Sequence, residues 1–78
     1  MTVYISPNPG KEQAMATAQR AAQLLLMQGA VVLMRDDLKE SCYAEGVQYL
    51  PLEECLLRTD VILTIGGDGT ILHEANFT

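Results

Sequence analysis

The stretch Asp60-Val61-Ile62-Leu63-Thr64-Ile65-Gly66-Gly67-Asp68-Gly69-Thr70 restricts the fold more than any other part of this sequence. Val61–Ile65 is an uncharged run rich in β-branched residues, the habit of a strand buried on both faces in a parallel sheet covered by helices. Glycines follow at once, and they let the chain turn sharply while leaving main-chain N–H groups open to an approaching oxygen. Thr70 then opens Ile71-Leu72-His73-Glu74-Ala75, which reads as a helix start with its free N–H groups and positive dipole end aimed at the same place. An anion is the expected occupant, and a phosphate suits it.

The remaining elements follow in order. Thr2–Ser6 is β-prone, and Pro7-Asn8-Pro9-Gly10 ends it with turn-forming residues. From Lys11 to Gln28 helix formers dominate, with Ala14, Ala18, Ala21 and Leu25 on one face. Gly29 stands where a helix takes a left-handed terminating residue, and Ala30–Met34 resumes a strand. Residues 35–46 are polar and aperiodic, so they are expected at the surface with at most one helical turn. Val47–Leu50 is a candidate short extended piece, and Pro51 is placed to begin a helix running to Leu57, with Glu53 and Glu54 in the first turn.

This order predicts an α/β fold: a three-stranded parallel sheet, Rossmann-like or flavodoxin-like, with flanking helices and the first strand central. The residues 1–78 are expected to form an incomplete domain, because the final helix receives only about two turns. In such sheets ligands bind beyond the carboxyl ends of the strands, where the connections part. The loop Ser6–Gly10 and the segment Gly66–Thr70 are therefore predicted to be neighbours across one crevice.

Charge narrows the partners. The net charge is −5, and the five basic residues are scattered singly, so no cationic stripe is present to follow a nucleic-acid backbone or an anionic membrane. Cys42 and Cys55 lack the spacing of a zinc site and are read as reduced thiols. No apolar window reaches the length of a membrane span and no signal segment precedes the first strand, so the expected location is cytoplasmic. Asn76-Phe77-Thr78 matches a glycosylation triplet but is read as coincidence in that setting.

An acid beside a bound phosphate repels it unless the carboxylate holds something else, so Asp68 is expected to face a hydroxyl or a metal ion. In phosphoryl transfer the acceptor hydroxyl gives up its proton late, and an ordinary carboxylate can receive it. The turn has no Gly-Lys-Ser/Thr and no G-x-G-x-x-G spacing, which separates it from the P-loop and the dinucleotide fingerprint. The alternative from residue types alone is a tight connection in which Asp68 is merely exposed or caps a helix.

Gly66-Gly67-Asp68-Gly69-Thr70 resembles the GGDGT motif of the NAD kinases, within the superfamily that includes phosphofructokinases and lipid kinases. The pattern Gly-Asp-Gly-Thr-x-Leu-x-x-Ala, here Gly67 to Ala75, is the NAD-kinase version. Lipid kinases carry asparagine and glutamate where this chain has Leu72 and His73, and phosphofructokinases carry a further glycine. Asn8-Pro9-Gly10-Lys11 is similar to a loop found in both NAD kinases and lipid kinases.

The resemblance implies phosphoryl transfer from ATP or polyphosphate to the 2′-hydroxyl of the adenosine ribose of NAD. It makes Asp68 the base, sets Asp68, Gly69 and His73 against NAD, and gives Gly66, Gly67, Thr70 and Asn8 to the phosphates. His73, read from the chain alone, is equally a half-exposed residue without a ligand. Mg2+ or another divalent ion is implied with ATP. The family's later Asn-Glu/Asp motif and β-rich carboxyl-terminal domain have no counterpart in these 78 residues, so this portion is expected to be inactive by itself and to self-associate. A lipid-kinase-type relative, or a phosphate-binding module without chemistry, remains the alternative.

Overall fold

A computed structural model describes residues 1–8, 10, 12–66 and 69–74, with residue 12 and residues 69–74 described through the backbone alone. The elements are β1 (Thr2–Pro7), α1 (Glu12–Met27), β2 (Val31–Arg35), a 3-10 turn (Asp36–Leu38), β3 (Gln48–Leu50), α2 (Leu52–Arg58), β4 (Val61–Gly66) and β5 (Gly69–Glu74). They form one sheet in the order β3-β2-β1-β4-β5, in which the first four strands are mutually parallel and β5 runs antiparallel to β4. This is the α/β architecture that the order of elements predicts, with β1 at its centre.

Two expectations need correction. Val47–Leu50 contributes a full strand partner, since Leu33↔Gln48, Met34↔Tyr49 and Arg35↔Leu50 are in register, so the parallel part has four strands instead of three. The segment after the glycines is a strand, not a helix: β5 pairs with β4 from Val61↔Glu74 to Gly66↔Gly69. Thr70 and Ile71 are β-branched and resist helix, and β4 without a neighbour would present a bare row of N–H and C=O groups. Pairing that edge outweighs the helix preference of Leu72 and Glu74.

α1 packs three small residues, Ala14, Ala18 and Ala22, fully onto the sheet, which lets the helix axis come close. They join Val3, Ile5, Val32, Met34 and Ile65 in the larger core, with Ala21, Leu25 and Leu26 at its border. The other face of the sheet holds a smaller core of Tyr4, Leu33 and Cys55 beneath α2. The polar stretch 35–46 is not wholly surface: Leu38, Cys42 and Ala44 are buried in the larger core. Tyr49 fixes that stretch, its hydroxyl donating to Cys42 O at 2.7 Å and accepting from Ala44 N–H at 2.8 Å. A core residue every four or two positions in a turn carries no period, which is why its burial does not show in the residue pattern.

α1 ends as Gly29 predicts. Gly29 has φ +86, and its N–H reaches Leu26 O at 3.0 Å while Ala30 N–H reaches Leu25 O at 3.0 Å, the paired bonds of a Schellman cap. Gly29→Ala is expected to destabilise the fold by about 1 kcal/mol, because a Cβ opposes that backbone angle although no atom crowds it. A urea midpoint unchanged from the parent would contradict this. At the opposite corner Asp60 clips two strand starts together, accepting Thr2 N–H on its carboxylate at 2.9 Å and donating its own N–H to Thr2 O at 2.8 Å.

Cys42 and Cys55 are free and buried. Burial pushes both thiols above their ordinary value of 9.0. Above about pH 9 the unfolded chain releases these protons while the folded chain keeps them, so the folded state loses relative stability as pH rises. Urea midpoints are expected to be flat from about pH 6 to 8 and to fall beyond about pH 9, and a midpoint that rises there would refute the burial.

Candidate functional site

The strands put their carboxyl ends at one edge, and there the β1 loop meets the end of β4. Pro7 pairs with Ile65, and the next residue donates its main-chain N–H across the gap, Asn8 to Ile65 O, at 2.8 Å. Because successive residues of a strand point their N–H groups to opposite sides, the N–H that Pro7 lacks belongs to the β2 side. The register pairs between β1 and β2 already end at Tyr4↔Leu33, so proline costs no ladder bond there. The loop and the glycine segment are thus neighbours, as the topology predicts.

Asn8 is exposed, and its side-chain oxygen accepts Gly10 N–H at 3.0 Å, which shapes the loop. The amide NH2 is then the end of the side chain that can donate to another oxygen. Gly66 closes β4, Gly69 stands opposite it on β5, and Thr70 stands opposite Ile65. Asn8 and Thr70 therefore flank the end of β4 on either side, two strand spacings or about 10 Å apart. Gly67, Asp68, Pro9 and Lys11 lie outside the described residues.

His73 is placed differently. It pairs with Ile62, four positions along β5 from Gly69, or about 13 Å toward the other end of the sheet. The backbone of His73 thus stands well away from Gly69 and the end of β4. The strand removes one expected helix N-terminus from the site, and the helix that still begins at this edge is α1, whose first residue Glu12 follows the β1 loop. Gly-Asp between two β-prone runs is a hairpin signal that could have announced the strand.

On the α2 face the end of β1 carries polar side chains. Burial raises the Tyr4 phenol above its ordinary value of 10.0, while hydrogen bonding to the Ser6 side chain and the Arg35 charge pull it back. Arg35 is a residue that reading by motif does not single out, and only its position at the end of β2 brings it to the crevice. An apolar groove of about 370 Å³, bordered by Leu24, Val61 and Leu63, lies on the opposite face, but it has no polar group to orient a nucleotide. Among the described residues no cluster of three or more His, Cys, Asp or Glu is arranged to hold a metal ion, and no helix is long and apolar enough to cross a membrane.

The family model described as ATP-NAD kinase N-terminal domain matches residues 3–78. The chain belongs to the NAD kinase family. No curated protein and no solved structure matches it significantly. As a member of the NAD kinases it carries the family's GGDGT string at the end of the strand beside β1, where an α/β sheet places its ligand.

Proposed function

We propose that these residues form the GGDGT half of a site that transfers a phosphoryl group from ATP or polyphosphate to the 2′-hydroxyl of the adenosine ribose of NAD, giving NADP. The observation that carries the reading is the bond from Asn8 N–H to Ile65 O at 2.8 Å, which joins the β1 loop to the strand that ends in the motif. In this reading Asp68 accepts the proton of the 2′-hydroxyl as its oxygen attacks the terminal phosphorus of the donor. The bond from that phosphorus to its bridging oxygen breaks, and ADP or a shortened polyphosphate leaves. Gly66, Gly67, Thr70 and Asn8 receive phosphate oxygens, while Gly69 and His73 lie along the dinucleotide.

Catalysis of this kind rests mainly on positioning and on stabilising spread negative charge. A divalent ion such as Mg2+ would come with the phosphates of the donor and neutralise part of their charge. The described residues do not themselves make a cage for it. By resemblance the Asn-Glu/Asp motif of the family completes the dinucleotide site, so these 78 residues alone are expected to show little or no turnover. A cytoplasmic location belongs to the same reading.

The non-catalytic alternative draws on one observation: β5 replaces the expected helix, which leaves a phosphate with fewer stabilising dipoles. An amide-shift titration separates the two. With the carboxyl-terminal domain of a family member joined to the chain, NAD perturbing Gly66 and Gly69 more than ATP does supports the kinase reading, and no response to either nucleotide defeats it.

Self-association is also proposed. Met1, Leu24 and Met27 are exposed, and Met1 and Leu24 line the apolar groove. Sedimentation is expected to show a dimer or larger species that Leu24→Glu weakens by about tenfold or more. A clean monomer at high concentration would exclude it.

A further inference from the structure

Among the described residues Arg35 is the cation that closes a strand at the crevice edge. Arg20 sits midway along α1, and Arg58 is held by Glu54 at 3.0 Å at the far end of α2. Along β2 Arg35 alternates with Met34, which faces the core beneath α1, so it shares the α2 face of the sheet with Leu33. Its Nε is buried and has no hydrogen-bond partner among the described residues. Asp37 Oδ1 lies 3.3 Å from that nitrogen but out of line for a bond. The pair is partly exposed, at 33% and 63%, and such pairs contribute under about 1 kcal/mol, so the guanidinium can turn to a stronger anion at small cost.

Two hydroxyls share this face. Ser6 and Thr64 are paired across β1 and β4, and both alternate with Ile5 and Ile65, which belong to the core beneath α1. Between the ends of β1 and β2 the sheet opens, because the pairs of β1 with β2 stop at Tyr4↔Leu33 while β2 continues with β3 to Arg35↔Leu50. Arg35, Ser6 and Thr64 thus lie across three neighbouring strands, a row of about 10 Å.

We propose that Arg35, with the Ser6 and Thr64 hydroxyls, forms a second anion subsite that takes a phosphate group of the polyphosphate chain of the bound nucleotide. This rests on the reading of the site under Proposed function. A planar guanidinium offers two parallel N–H donors to phosphate oxygens, and hydroxyls donate singly beside it. The opposing influence is Asp36 and Asp37, whose charges repel an anion and keep the affinity of the subsite modest.

The test is an amide-shift titration of the chain with sodium pyrophosphate at constant ionic strength, on the parent, Arg35→Gln and Arg35→Lys. The expected result is perturbation at Ser6, Arg35 and Thr64, an affinity about tenfold lower in Arg35→Gln, and partial retention in Arg35→Lys, with α1 amides unmoved in all three proteins. Absence of those shifts in the parent, or Arg35→Gln binding pyrophosphate as the parent does, overturns the proposal. Shifts at Gly66 and Gly69 on adding NAD report separately on the kinase reading. If they persist while the pyrophosphate result fails, only the Arg35 subsite is lost.

Discussion

Asp68→Asn is expected to lower NADP formation by about 10²- to 10⁴-fold, the usual worth of a positioned general base. The assay joins this chain to the carboxyl-terminal domain of a family member, so that the whole dinucleotide site is present. Asparagine keeps the size of the side chain and one oxygen that can accept a bond from the ribose hydroxyl, but it cannot take the proton. Binding should therefore change by no more than about threefold, with the loss falling on kcat and not on KM. Replacing the carboxylate also removes a charge that repels the donor phosphates, so affinity for ATP is expected to stay level or rise slightly. Undiminished turnover would remove Asp68 as the base. An equal fall in binding and turnover would make it a ligand-holding residue.

Where local pattern and tertiary demand agree, the elements could be read from residues alone. Val61–Ile65 and Thr2–Ser6 announce strands because their runs are apolar and β-branched, and the alanine face of α1 announces a helix against a sheet. Gly29 is legible because its φ of +86 is one that side chains resist. β5 is not legible in the same way: Thr70 and Ile71 favour a strand while Leu72 and Glu74 favour a helix, and the open edge of β4 decides between them. Leu38, Cys42 and Ala44 are buried by a loop fold that no periodicity foretells.

The site divides along the same line. Its location follows from topology, since the parting of connections on either side of β1 and β4 fixes where a ligand can enter. The glycine string could be singled out because its chemistry is local in sequence. Arg35 could not, because it comes level with Ser6 and Thr64 only through the order of the strands, and no spacing along the chain encodes that alignment.

Ile5→Ala is expected to cost about 2 to 5 kcal/mol, the largest loss of stability from any single truncation proposed for this fold. Ile5 is 0% exposed and lies on the central strand, facing the core beneath α1. A domain of 78 residues has roughly 4 to 12 kcal/mol of total stability at typical values per residue, so this one change removes a large share of it. Ile5→Val should cost only about 0.5 to 1.5 kcal/mol, since the cavity is one methyl group. Leu57→Ala, at a position 81% exposed, should lie within about 0.5 kcal/mol of the parent. Urea denaturation of the three variants orders them, and Ile5→Ala no worse than Leu57→Ala would overturn the core assignment. The consequence reaches the site, because β1 carries the loop that Asn8 ties to Ile65. A chain that has lost its central strand loses the crevice with it, so nucleotide-dependent amide shifts at Gly66 should vanish in Ile5→Ala at temperatures where Ile5→Val still shows them.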